Sequence, residues 1–266
     1  MNERVDGPGG SPAGSPAGTA LALRGLAKRF GPKVAVAGID LDVPAGSFYG
    51  VVGPNGAGKT TTLSMATGLL RPDAGRASVL GADVWADPIG AKRRLGVLPD
   101  GVRLFDRLSG LELVRYSGLL RGMPRDVVEQ RSRELLDALG LAGAQDTLVV
   151  DYSAGMTKKA ALACALVHAP RVLVLDEPFE AVDPVSGATI RSILDGYVRG
   201  GGTVVLSSHV MDLVERLCSH VAVIAGGRVL AAGELAAVRG AGSLEERFVD
   251  LVGGTRDVSG TLDWLR

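Results

Sequence analysis

The sequence predicts an α/β protein: a parallel-sheet core opened by antiparallel strands and interrupted by an α-helical subdomain. Three observations carry that expectation. Short β-rich runs open the chain at about residue 21, a glycine-rich loop at 53–60 joins a strand to a helix, and chiefly apolar runs at 172–175, 203–206 and 221–224 alternate with helical stretches. Apolar strands separated by helices are what a parallel sheet buried on both faces requires.

Residues 21–27 and 38–43 read as the first strands, the second alternating Ile39, Leu41 and Val43. Residues 47–52 form a third strand before the glycine-rich loop, and 61–69 a helix after it. Further strands are expected at 76–80 and 95–98, after which the pattern turns helical. Ser109 and Glu112 make a capping box for a helix reaching Leu120. Pro124 opens another helix, which sets Val128, Leu135 and Leu139 on one face and stops at Gly140. A third, at 158–168, ends before Pro170. The helical insertion is placed at about 103–168 within a main domain at 19–240. Helices at 184–197 and 210–217 separate the later strands, and a C-terminal extension, 241–266, sets Leu244, Phe248, Leu251 and Val252 on one helical face. Residues 1–18, rich in Gly, Ser, Pro and Ala, bury too little surface to offset chain entropy and read as a disordered tail.

Composition narrows the partners. Lysine plus arginine equals aspartate plus glutamate at 29 each among 266 residues, so no nucleic-acid partner is expected. The apolar runs fall well short of the ~20 residues that cross a bilayer, and no export signal opens the chain, so a cytoplasmic protein is expected. Cys164 and Cys218 lie in apolar surroundings and read as small buried thiols; His168, His220, Trp85 and Trp264 read as structural or packing residues.

The chemistry starts at Gly53-Pro54-Asn55-Gly56-Ala57-Gly58-Lys59-Thr60. Successive glycines let backbone N–H groups converge on an anion, and the following helix adds its positive dipole end. Lys59 brings a full charge to the β- and γ-phosphates, Thr60 a hydroxyl for Mg2+, and Thr61 a further contact. Downstream, the apolar run 172–175 ends in Asp176 and Glu177, which sets two carboxylates at the carboxyl edge of a parallel sheet. Asp176 suits the Mg2+ shell through water, and Glu177 suits alignment of an attacking water. Ser153 and Gly155 precede the 158–168 helix, where Ser153 can cap it and Gly155 lets backbone N–H groups approach an anion, the features of a second phosphate-binding helix start. One lysine-bearing loop and two anion sites suggest that each nucleotide lies between two subunits.

In the order of these motifs the chain resembles the ATP-binding cassette (ABC) ATPases, P-loop NTPases with a RecA-like core, over residues 21–252. Gly53 to Thr61 matches the family's Walker A, Tyr152-Ser153-Ala154-Gly155-Met156 its signature, and residues 172–176 its Walker B, with Glu177 as the catalytic glutamate. Asp183 resembles the D-loop aspartate at the dimer interface, His209 the switch histidine, and Phe30 the aromatic ring that stacks on adenine. Asp100 stands where the family usually has the Q-loop glutamine; it is assigned to Mg2+ or the lytic water, with a shorter reach. The signature also departs from the commonest form, Ser-Gly-Gly-Gln, but keeps Ser153 and Gly155. Residues 96–100, 104–109 and 244–249 are most similar to ABC-2 exporter subunits. The resemblance implies ATP and Mg2+, a second ATPase subunit in a homodimer or heterodimer, and a separately encoded integral membrane permease at the inner face of the membrane. An importer subunit and a soluble ATP-switched assembly factor are the alternatives.

Overall fold

The computed structural model describes residues 18–253. The expected tail before Gly18 and the end of the C-terminal extension, with Trp264, lie outside the described residues. β1 (Thr19–Phe30) and β2 (Lys33–Pro44) form a long antiparallel hairpin, and β3 (Phe48–Val52) leads through the glycine-rich loop into α1 (Lys59–Ala66). β4 (Ala74–Val79) and β5 (Ala82–Asp83) complete an antiparallel sheet of order β2-β1-β4-β5. α2 (Pro88–Arg94) precedes β6 (Leu95–Leu98), followed by α3 (Gly110–Leu120), α4 (Arg125–Ala138) and α5 (Ala154–Leu166). Then come β7 (Val172–Leu175), α6 (Pro184–Arg199), β8 (Thr203–Ser208), α7 (Met211–Leu217), β9 (His220–Ala225), β10 (Arg228–Glu234), α8 (Leu235–Arg239) and α9 (Leu244–Leu251). The second sheet runs β10-β9-β3-β8-β7-β6 and is parallel apart from the antiparallel edge strand β10.

The period-two geometry of a strand divides the core. Phe48, Val52, Leu173 and Leu175 face the apolar cluster that also holds Leu111, Leu136 and Leu162 from α3, α4 and α5. Their neighbours Tyr49, Val51, Val172 and Val174 face the opposite cluster, with Leu23, Leu26 and Ile39 of the antiparallel sheet and Leu63 of α1. The parallel sheet is therefore sandwiched, which accounts for the nearly continuous apolar character of β7 and β8.

Several elements differ from the sequence expectation. α5 starts at Ala154 rather than at residue 158, directly after the Ser153 cap that the sequence indicated, whose hydroxyl accepts the Met156 N–H at 3.2 Å. β5, α2, β10 and α8 had no counterpart in the sequence reading; α2 is set by Asp87, whose side chain accepts the Gly90 N–H, and by Pro88 in the first turn. Val252 lies beyond α9 and is exposed, while Leu244 is buried and Phe248 and Leu251 pack partly against the core. Cys218 is buried but Cys164 is only partly so; burial pushes their thiols up to about 12 and about 11 respectively.

His168 joins the helical layer to the sheet. Its Nε2 donates to the Leu95 carbonyl at 3.1 Å, and its Nδ1 is buried with no hydrogen-bond partner. Around it, Arg121 donates to the Lys92 carbonyl and Arg131 to the Val167 carbonyl. Burial first, and the charge of Arg121 next, lower the imidazole to about 4 from its ordinary value of 6.5. In the unfolded chain this histidine takes a proton as pH falls below 6.5, whereas the folded chain resists until about 4. Its contribution is complete above pH 6.5 and is lost between 6.5 and 4. Urea unfolding at a series of pH values is expected to show a shallower acid loss of stability for His168→Gln than for the wild type; parallel curves would contradict the assignment.

Candidate functional site

Three neighbouring parallel strands deliver the chemistry. β8 lies between β3 and β7, with Ser208 opposite Val52 and Leu206 opposite Leu175. That register brings the loop after β3, the carboxylates after β7 and the histidine after β8 to one carboxyl edge, the place where ligands bind in such sheets. There, a cavity of about 550 Å³ is lined by Pro54, Asn55, Gly56, Ala57, Gly58, Lys59, Thr60 and Thr61, with Phe30, Asp100, Glu177 and His209. Lys33, Ala35 and Glu180 complete the lining.

The loop is held by backbone. Gly227 donates to the Ala57 carbonyl at 3.0 Å, and Ala37 donates to the Gly227 carbonyl at 2.8 Å, which ties β2 and the β9–β10 turn to the loop. Gly58 caps α1 with φ +103°, and a Cβ there would lie 2.5 Å from the Ala35 carbonyl oxygen. Gly53 has its own close neighbour, since a Cβ on it would lie 2.0 Å from the Ile224 carbonyl oxygen. No side chain caps α1, so its first N–H groups are left for a ligand. Together they make an anion cradle.

Lys59 is buried at the loop's centre, where its Nζ donates to the Gly53 carbonyl at 2.7 Å and lies 3.8 Å from Glu177 Oε1. Glu177 Oε2 is 3.1 Å from His209 Nδ1. One carboxylate thus touches both the phosphate-loop lysine and the histidine after β8. Asp176 is buried beside it and accepts a hydrogen bond from the Ser207 hydroxyl; it is not on the cavity lining. The Ser207 hydroxyl also accepts the Glu177 N–H at 2.9 Å. Phe30, at the end of β1, is half exposed at the cavity rim, with the Lys28 ammonium 5.8 Å from its ring centroid. Asp100 is exposed on the lining, and its carboxylate accepts the Gly101 N–H at 2.8 Å.

Ser153, Ala154, Gly155 and Met156 are not part of this lining. They form the start of α5, with Ser153 and Ala154 exposed and no acidic residue in the first turn. A Cβ on Gly155 would lie 3.4 Å from Asp183 Oδ2, so Asp183 sits against the signature of its own chain. Asp183 also caps α6 by accepting the Val185 and Ser186 N–H groups, and the hydrogen bonds from Ser186 hold its carboxyl below the ordinary range.

Four residues near the site escaped the sequence reading. Lys33 and Ala35 reach the cavity because the β1–β2 hairpin folds back over it, and Glu180 because the turn after Glu177 closes on it. Lys158 donates to the Glu177 carbonyl from α5 at 2.8 Å. Proximity to Phe30 was an available signal for Lys33; for Lys158 the linear sequence offered none.

Gly58 gives a direct test of the cradle. Gly58→Ala adds left-handed strain of about 1–3 kcal/mol as well as the collision with Ala35. The expected result is a rise of at least about tenfold in the Kd for a fluorescent nucleoside triphosphate; an unchanged Kd would show that the loop tolerates a wider opening.

Comparison with known proteins agrees with the geometry. Residues 36–180 match the family model described as ABC transporter. The chain is 39% identical over 234 residues to the daunorubicin/doxorubicin resistance ATP-binding protein DrrA of Streptomyces peucetius, covering 87% of this chain and 71% of that protein. It is 39% identical over 210 residues to the Nod factor export ATP-binding protein I of Burkholderia lata, covering 79% of this chain and 69% of the relative. A solved ATP-binding subunit of an ABC transporter superposes with a TM-score of 0.82 at 27% identity, covering 88% of this chain and all of that one. The chain belongs to the ABC transporter family, as one of its ATP-binding ATPases.

Proposed function

We propose that this chain is the ATPase subunit of an ABC exporter, which closes with a second ATPase subunit around two Mg-ATP molecules and drives a separately encoded membrane permease. The observation that carries the two-subunit reading is the division of the anion sites. The cavity holds Lys59, Glu177 and His209, while the helix start at Ser153–Gly155, exposed at Ser153 and Ala154, lies off its lining. A γ-phosphate held by the first set in one subunit and the second set in another bridges the two, so ATP favours closure and hydrolysis releases it.

Within that scheme Lys59 and the loop amides hold the β- and γ-phosphates, Phe30 stacks on adenine, and Glu177 aligns the attacking water with help from His209. Asp183 lies beside Gly155 where the subunits meet. The residues present fit Mg2+ in kind: Thr60 and Asp100 line the cavity with a hydroxyl and a carboxylate, and Asp176, buried at the end of β7 and bonded to Ser207, is assigned to the Mg2+ shell through water. Bound there, Mg2+ would supply positive charge that offsets the charge of the phosphates.

Export and the membrane partner rest on the relatives' names, drug resistance and Nod factor export, and on residues 96–100, 104–109 and 244–249. No helix among the described residues is long and apolar enough to cross a membrane, so a pathway would come from the permease, with this chain on its inner face. The ATPase domain is assigned to 19–240, with its helical subdomain at about 103–168.

Glu177→Gln is expected to reduce steady-state ATP hydrolysis at least about hundredfold and to accumulate an ATP-bound dimer in size-exclusion chromatography. Full turnover, or a variant that remains monomeric with ATP, would refute the assigned base and the closure scheme. Affinity purification from native membranes is expected to bring down a polytopic membrane protein; recovery of the ATPase alone would speak against the transport reading.

A further inference from the structure

We infer that Lys158 is a positioning residue for hydrolysis, holding the backbone of Glu177 in place from the helix that carries the signature. This rests on Glu177 being the base. Glu177 has φ +46°, a left-handed conformation that costs a non-glycine residue about 1–3 kcal/mol and persists only where its surroundings fix it. Two bonds from other elements fix it. The Ser207 hydroxyl accepts its N–H at 2.9 Å from β8, and the Lys158 ammonium donates to its carbonyl at 2.8 Å from α5. Ser207 is also bonded to Asp176, so the amide side is anchored to the sheet. The carbonyl also accepts the Glu180 N–H at 3.2 Å within the turn that follows, so Lys158 is the bond that ties it to a separate element, α5.

The consequence is directional. The Glu177 carboxylate reaches Lys59 and His209 from a side chain whose root is this strained backbone, so a rotation there swings the carboxylate away from both. Lys158 lies two residues beyond Met156 on the helix that Ser153 caps, and a helix moves as a rigid unit over so short a distance. A displacement of the signature end of α5 relative to β7 is therefore passed to the Glu177 carbonyl through Lys158. Engagement of Ser153 and Gly155 by a partner-held phosphate and alignment of the base become one motion.

The test uses the full chain with Mg-ATP. Lys158→Met keeps the length of the side chain and removes its charge and donors, while Lys158→Arg keeps both. Lys158→Met is expected to lower kcat roughly tenfold or more, since small misplacements of a reacting group are expensive in rate, with KM changed by less than about twofold. Lys158→Arg is expected to retain most of the rate. Added to Glu177→Gln, Lys158→Met is expected to change the residual rate by less than about twofold, because both act through one carboxylate. An unchanged kcat, a rise in KM alone, a rate loss matched by an equal loss of thermal stability in both variants, or the same fold loss in the Glu177→Gln background would overturn the inference. Should Glu177→Gln itself turn over normally, the base assignment fails and the inference with it; should only Lys158→Met turn over normally, the base stands and the inference alone falls.

Discussion

The adjacency of β3, β8 and β7 at the centre of a sheet buried on both faces is the constraint on which the site depends. Each strand ends in a different functional loop, and parallel register sends all three loops to the same edge. The apolar strands hold that register because slipping one residue would exchange the side chains of the two clusters, presenting Leu173 and Leu175 to the packing built for Val172 and Val174. With about 1.5–3 kcal/mol at stake for each fully buried aliphatic side chain, a slip of even a four-residue strand is strongly disfavoured. The catalytic geometry is in this sense a by-product of hydrophobic packing.

Burial at that edge forces polar groups into partnerships. Lys59, Asp176, Ser207 and Ser208 are all buried, and an unpaired buried polar group is destabilising by about 1–3 kcal/mol. Lys59 finds the Gly53 carbonyl and Glu177; Asp176 finds Ser207; Ser208 accepts the Val210 N–H. The result is a connected network in which Glu177 is contacted through its carboxylate, its amide and its carbonyl. Such a network limits where the carboxylate can go, which matters more for a group that must align water than the strength of any single bond.

The helical layer enters through two bonds of different character. His168 meets the Leu95 carbonyl far along β6, as a packing contact kept neutral by burial and by arginine charge. Lys158 meets the end of β7 at the site itself. α3, α4 and α5 share one apolar cluster with the sheet, so these polar ties sit on a surface already held together by Leu111, Leu136 and Leu162.

By itself the sequence determined the elements whose local pattern was strong: the apolar runs of β7, β8 and β9, the Ser109–Glu112 capping box, the glycine-rich loop and its flanking strand and helix. It missed β5, α2 and β10, because a two-residue strand, a seven-residue helix and an edge strand of mixed exposure carry too few buried residues to leave a period. It listed Lys59, Glu177 and His209 as separate expectations, and only the tertiary structure decided that one carboxylate touches the other two. Tertiary structure alone also placed Lys33, Glu180 and Lys158 at the site. The physical reason is range: propensity and capping act within a few residues, whereas these contacts join segments whose meeting is fixed by sheet order and by the packing of α5.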